Sequence, residues 1–450
     1  MKLTFGSLTL PLLLLPIAAS AQTLEVRYAE PASKIIDAAQ SSNGAYEKLI
    51  YLCDRIGNRV SGSQNLTKAI EWAKAEMTRD GLVNVSSPLV KVPHWVRGEE
   101  GAAIIAPIER PLTMIGLGDS VGTGGRPLSG DVVIAHDFNE LERMGKAAVQ
   151  GKIVLFNEKW DGYGYSVQYR TRGPSIVAKM GAIAMLIRSV TGLTMQIPHT
   201  GTLEYAQGAP QIPAAAITPE DASLIERLIT HGSPVKVRLM MNAQMLPDAD
   251  SANVIGEIRG SEKPEEVVVM GGHIDSWDVG QGAQDDGSGI VTAMEAAALI
   301  HKLGLKPRRT IRVVLFTNEE NGGAGGRAYR EMIGNQIKNH VAAIEMDGGA
   351  EKISGYAMDK RILDKFVGVE RLLAPIGADH FTPGGGGSDI GPIVRDGVPG
   401  LSPLTSGGHY FDWHHTKADT VDKIDPKELR EHVAAMAVIS YILADMPERP

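Results

Sequence analysis

Six side chains in the C-terminal half of the sequence have types and spacing suited to one metal centre: His273, Asp285, Glu319, Glu320, Asp347 and His415. Two imidazoles (His273, His415) and three carboxylates (Asp285, Glu320, Asp347) can surround a pair of ions, and such nitrogen and oxygen donors suit zinc. If Asp285 is shared, each of two zinc ions receives one histidine, the shared aspartate and one further carboxylate. The charges then nearly cancel, and one hydroxide shared by the ions completes neutrality. Without metal, three carboxylates in a low-dielectric crevice would repel each other. Glu319 is left over. Adjacent residues beyond a strand end project in different directions, so Glu319 is free to act as general base, moving a proton from the shared water to a leaving group. Asp275, two residues past His273, is placed to accept a hydrogen bond from the second ring nitrogen and fix its tautomer.

The elements that must position these residues are legible. Val267 to Met270, Ile311 to Thr317 and Val341 to Met346 read as strands, and each is followed by candidate ligands. Open α/β sheets place their sites at such carboxyl ends. Asn253 to Ile258 reads as a further strand; Ile290 to Leu303, Gly326 to Ile333, Arg361 to Leu373 and Pro426 to Met446 read as helices. This alternation implies an α/β fold: a mixed, largely parallel sheet with helices on both faces, over residues 246–450. Residues 22–95 read as a helical N-terminal part of the same domain, with Asn65 as a helix cap. Residues 96–245 read as a β-rich insert with one clear helix at Ser175 to Lys179. Its Gly116-Leu117-Gly118 is not a dinucleotide fingerprint, because the next glycine falls at 122.

Residues 1–21 read as a signal peptide: Lys2, the apolar Leu8 to Ile17, then Ala19-Ser20-Ala21. The protein is therefore expected to be exported, periplasmic or extracellular, with no membrane span after cleavage. The formal net charge of -8 argues against a nucleic-acid partner. Cys53 is the only cysteine, so no internal disulfide is possible, and its apolar neighbours mark it as a small core residue. Paired acids such as Glu319-Glu320 usually mark solvated turns; here the company of the other ligands outweighs that reading. His409 reads as a rim residue. Ser388, after the glycine run 384–387, reads as a turn or a substrate contact.

In order and spacing these residues resemble the co-catalytic zinc aminopeptidase and carboxypeptidase family: His273-x-Asp275, Asp285-Asp286-Gly-Ser-Gly, Glu319-Glu320, Asp347 and His415. Further stretches resemble one branch of it: Gly57 to Ser63, Pro93-His94-Trp95, Val167 to Thr171, Asp275 to Gly282 and Phe411 to Thr420. The resemblance runs from about residue 45 to 446. It implies a zinc exopeptidase fold, two zinc ions per chain, Asp285 bridging, Glu319 as base, an orienting role for Asp275 and a cis Asp285–Asp286 peptide. It also implies a homodimer acting on dipeptides with free termini. Gly151 to Val154 and Ile212-Pro213-Ala214 resemble strands of a protease-associated domain. Some relatives carry a tyrosine just before the last histidine ligand to stabilise an oxyanion. This chain has His414 there, so His414 or Tyr410 is the candidate for that work. The competing readings are an aminopeptidase on longer peptides, a glutaminyl-cyclase-like transferase with one zinc, and a non-catalytic binding module on the same fold.

Overall fold

The computed structural model describes residues 23–450; the leader-like stretch lies outside the described residues. Eight strands form the main sheet, in spatial order Val83–Ser86, Val254–Ile258, Arg309–Phe316, Lys263–His273, His340–Glu345, Gly400–Thr405, Ile353–Met358 and His380–Pro383. The four strands from Arg309–Phe316 to Gly400–Thr405 run parallel. Val268 and Met270 enter one buried cluster, while Val267 and Val269 enter another on the opposite face. That alternation is the strand period of two, and it requires cover on both sides. One face is covered by Leu24–Gln40, Gly44–Tyr51, Gln64–Arg79, Ser288–Lys302 and Pro426–Asp445, the other by Ala324–Ile333 and Gly391–Arg395. Ser288–Lys302 is buried all round from Ser288 to Ile300, as its nearly unbroken small and apolar sequence requires.

Two local expectations need correction, and one strand is not expected from the sequence. Ser63, not Asn65, caps the Gln64–Arg79 helix: its hydroxyl accepts from the Leu66 N–H at 3.1 Å. The helix expected over Arg361 to Leu373 is two short turns, Lys360–Leu363 and Glu370–Leu373, separated by Gly368 at φ +94°. The strand Gly400–Thr405 carries Gly400 and Pro403, which mask it from propensity, yet it lies inside the sheet.

A second sheet of eight strands spans Glu100 to Met241. Within it Leu128–Ala135, Ile153–Phe156, Ala184–Arg188 and Ala214–Ile217 run parallel. Four helices accompany them rather than one: Phe138–Val149, Tyr163–Thr171, Gly173–Lys179 and Pro219–Thr230. Gly145 at φ +74° and the aromatic, glycine-containing start of Tyr163–Thr171 hide two of these from helix periodicity. A two-stranded ribbon, Leu89–Val96 against Gln244–Ala252, carries the chain between the sheets.

Candidate metal centre

His273 is the last residue of its strand, Glu319-Glu320 come after Arg309–Phe316 with Thr317 and Asn318 between, and Asp347 comes after His340–Glu345 with Met346 between. The parallel register therefore delivers three sets of side chains to one crevice. His273 Nε2 lies 3.1 Å from Asp285 Oδ1 and 3.3 Å from Asp347 Oδ1. His415 Nε2 lies 3.2 Å from Asp285 Oδ2 and 3.0 Å from Glu320 Oε2. Asp285 thus turns one oxygen to each histidine, and two three-donor sets share it. Asp285 Oδ2 and Glu320 Oε1 are buried with no hydrogen-bond partner. Buried carboxylate oxygens are rarely left so, and a bound cation would satisfy both.

The electrostatics say the same. Burial, then the Asp285 charge, pushes Glu320 up to about 8. Burial pushes Asp347 up to about 6. Asp285 moves the other way: burial opposes its charge, but the His273 hydrogen bond and the neighbouring His415 and His414 rings hold it well below the usual carboxylate range. The crevice carries more acid than it can ionise without positive charge.

The supporting residues are less obvious in the sequence. The Asp285–Asp286 peptide is cis. Asp286 is fully buried; its two oxygens accept from the His273 N–H and the Gly289 N–H, each at 3.0 Å. A Cβ at Gly272 or Gly289 would overlap that carboxylate, which explains a glycine at both positions. The Asp419 carboxylate accepts the N–H groups of Ala283, Gln284 and Asp285 at 3.1, 2.7 and 3.2 Å. Arg59, with no exposed surface, donates to the carbonyls of Ile274, Gly57, Gln281 and Gly282.

Asp275 works differently from expectation. His273 Nδ1 faces the main-chain carbonyl of Asp275 at 3.1 Å, while the carboxylate stands 3.8 Å away. That carboxylate accepts instead from the Glu319 and Glu320 N–H groups at 3.0 and 3.3 Å. Two adjacent N–H groups beyond a strand are strong donors to an anion, and they win it from the ring. Asp275 therefore orients the glutamate pair through its carboxylate and the histidine through its backbone.

His414 stacks on His415 with ring centroids 3.5 Å apart, and its Nε2 is 3.6 Å from Asp285 Oδ2. Asp285, His414 and His415 form one group able to hold an ion; His273, Asp285 and Asp347 form another. Burial and the His415 charge hold His414 well below the usual histidine range. Tyr410 faces the acids: burial, then Asp285, Asp347 and Glu320, keeps its phenol protonated far above the usual range. Ser388 lines a cleft of about 270 Å³ with Asp347, Gly349, Gly387 and Thr405. His409 stays exposed, paired with Asp412 at 2.8 Å.

The profile of peptidase family M28 matches residues 253–440. Carboxypeptidase Q of Bos taurus is 42% identical over 94% of this chain and 90% of its own length. The chain belongs to peptidase family M28. It is accordingly a metallo-exopeptidase, and the branch that the Gly57 to Ser63 and Asp275 to Gly282 stretches resemble is carboxypeptidase Q. A solved M28 peptidase precursor from Shewanella amazonensis superposes with a TM-score of 0.90 at 33% identity, covering 94% of this chain and 98% of that one. A zinc aminopeptidase from Bacillus subtilis, 19% identical, shares the fold with a TM-score of 0.66 over 90% of this chain and 96% of that one. In this M28 chain several of the stretches that resemble that branch gather around one place. Arg59 holds the loop before Asp285, the Trp277 and His415 rings meet edge-to-face with centroids 5.7 Å apart, and Trp95 packs on Trp277. Asp286, Asp419 and Arg59 gave no separate sign in the sequence beyond lying in or beside those stretches.

Proposed function

We propose that the chain hydrolyses the terminal peptide bond of small peptides, dipeptides with free termini above all, with two zinc ions per chain. His273, Asp285 and Asp347 would hold one ion; His415, Asp285 and Glu320 would hold the other. The observation that carries this reading is Asp285, whose two oxygens face two different histidines at 3.1 and 3.2 Å. Zinc, when bound, supplies Lewis acidity and brings a water within reach of deprotonation near pH 7.

The chain's own residues do the rest. Glu319 stands outside both donor sets, half-buried, with its backbone anchored by Asp275. It takes the proton of the attacking water and delivers it to the leaving amine. The Tyr410 phenol, kept protonated, donates to the oxygen that gains charge as the carbonyl is attacked. The small cleft beside Asp347 and Ser388 supports a short substrate. Export, resting on residues 1–21, and a homodimer belong to the same proposal.

The test is a panel of dipeptides with free, acetylated or amidated ends, and longer peptides, assayed with zinc. Cleavage only when both ends of a dipeptide are free supports the reading. Faster release of N-terminal residues from long peptides would replace it with an aminopeptidase, and cyclisation without hydrolysis would replace it with a transferase.

A further inference from the structure

One of the two histidines is gripped by the inserted segment. The Thr200 N–H donates to the His415 carbonyl at 3.0 Å, and the Thr200 carbonyl lies 3.3 Å from His415 Nδ1. Thr200 is held in turn by Arg170, which is 4% exposed. Arg170 Nη1 donates to the Thr200 carbonyl at 3.2 Å, Nε to the Thr202 carbonyl at 3.2 Å, and Nη2 to the Tyr163 hydroxyl at 2.9 Å. Arg170 Nη1 also lies 3.5 Å from His415 Nδ1. A guanidinium has donors and no acceptor, so it cannot take the ring proton. Both groups converge on the Thr200 carbonyl, which places the proton on Nδ1 and the lone pair on Nε2.

The fit is close. Gly201 sits between them at φ +128°, and a Cβ there would overlap the Arg170 guanidinium and stand 2.7 Å from His415 Nδ1. His415 itself holds φ +61°, a conformation a non-glycine residue keeps only when its surroundings enforce it. Tyr163 adds a second support: its ring stacks on Phe411 and meets His414 edge-on at 5.1 Å.

We infer that Arg170 is a positioning residue for the metal centre: through the Thr200 carbonyl it fixes the tautomer and plane of His415, so the inserted segment sets the affinity for one of the two ions. This rests on the two-zinc reading above. It also separates two opposite effects of the same side chain. As a mere neighbouring cation, Arg170 would repel zinc, and its loss would slow release. As a positioning residue, its loss speeds release.

The experiment follows zinc leaving the loaded full-length chain into excess chelator. In Arg170→Met one ion leaves about 10- to 100-fold faster, the range seen when a ligand loses its supporting partner, while the other leaves at the wild-type rate. Arg170→Lys falls between, and Gly201→Ala, which wedges Arg170 from His415 without removing charge, behaves like Arg170→Met. At saturating zinc the KM for a dipeptide returns to the wild-type value. Unchanged or slower release in all three variants overturns the inference. So does equal acceleration of both ions with a lowered melting temperature, which would mark general loosening. His415→Ala is the reference. If it still binds two zinc ions, the two-zinc reading fails; if it binds one and Arg170→Met releases like wild type, only this inference fails.

Discussion

The two halves of the centre are built differently. His273 ends a central parallel strand, and its backbone is tied to Asp286 and, through that carboxylate, to the start of the Ser288–Lys302 helix. Everything that fixes it belongs to the peptidase sheet and its covering helices. His415 lies in a loop at φ +61°, backed by Trp277 and held by Thr200 and Arg170 from the second sheet's part of the chain. One half is made by the fold's core; the other is completed by a segment inserted between the strands Val83–Ser86 and Val254–Ile258. The sheet thus fixes one histidine and the insert fixes the other.

Substitutions can break this contrast or sharpen it. The largest effect is expected at the shared donor: Asp285→Asn weakens both halves, so zinc content falls toward zero and dipeptide turnover falls to background. Next come the two histidines. His273→Ala and His415→Ala should each bind one zinc per chain, measured by elemental analysis, and the ion that remains should differ in release rate. Tyr410→Phe should leave zinc content alone and lower kcat about 10²- to 10³-fold, the size of one lost oxyanion donor, with little change in KM.

The smallest effect concerns stability in acid and touches one buried histidine on each side. Burial pushes His432, in the Pro426–Asp445 helix, down to about 4, and His199, in the insert, down to about 3. Both folded values lie below the unfolded value near 6.5. Between them the unfolded chain binds more protons, so stability is complete above about pH 6.5 and declines as pH falls toward each folded value. The raised carboxyls of the metal-free centre act in the opposite sense over the same range, so the comparison isolates the histidine: in denaturant titrations of metal-free protein between pH 7 and 4, His432→Asn should lose less stability toward pH 4 than wild type. An identical pH dependence in variant and wild type would exclude His432 as a source of acid sensitivity.

Much of this was legible in the sequence because the chemistry is carried by residues at strand ends. Asp and Glu are poor strand formers, so Asp275, Glu319-Glu320 and Asp347, each within five residues of the end of Val267 to Met270, Ile311 to Thr317 or Val341 to Met346, stand out. The supports did not stand out. Asp286 reads as one acid of a pair, Asp419 as one of many loop acids, and Arg59 as an ordinary arginine; their roles come from distant chain segments that meet only in the fold. The role of Asp275 is hidden for the same reason, since spacing places it near His273 but does not show the two N–H groups of Glu319 and Glu320 competing for it. Two helices of the insert are hidden in the sequence because Gly145 and the aromatic residues of Tyr163–Thr171 interrupt the helical pattern.

The proposed centre divides its labour between ions held by five ligands and a base that stands apart. Glu319→Gln tests it most directly, with zinc content and dipeptide turnover measured on the same sample. The account predicts two zinc ions per chain, as in wild type, and a kcat lowered by about 10²- to 10⁴-fold. Full turnover in that variant, or loss of an ion from it, would contradict the account.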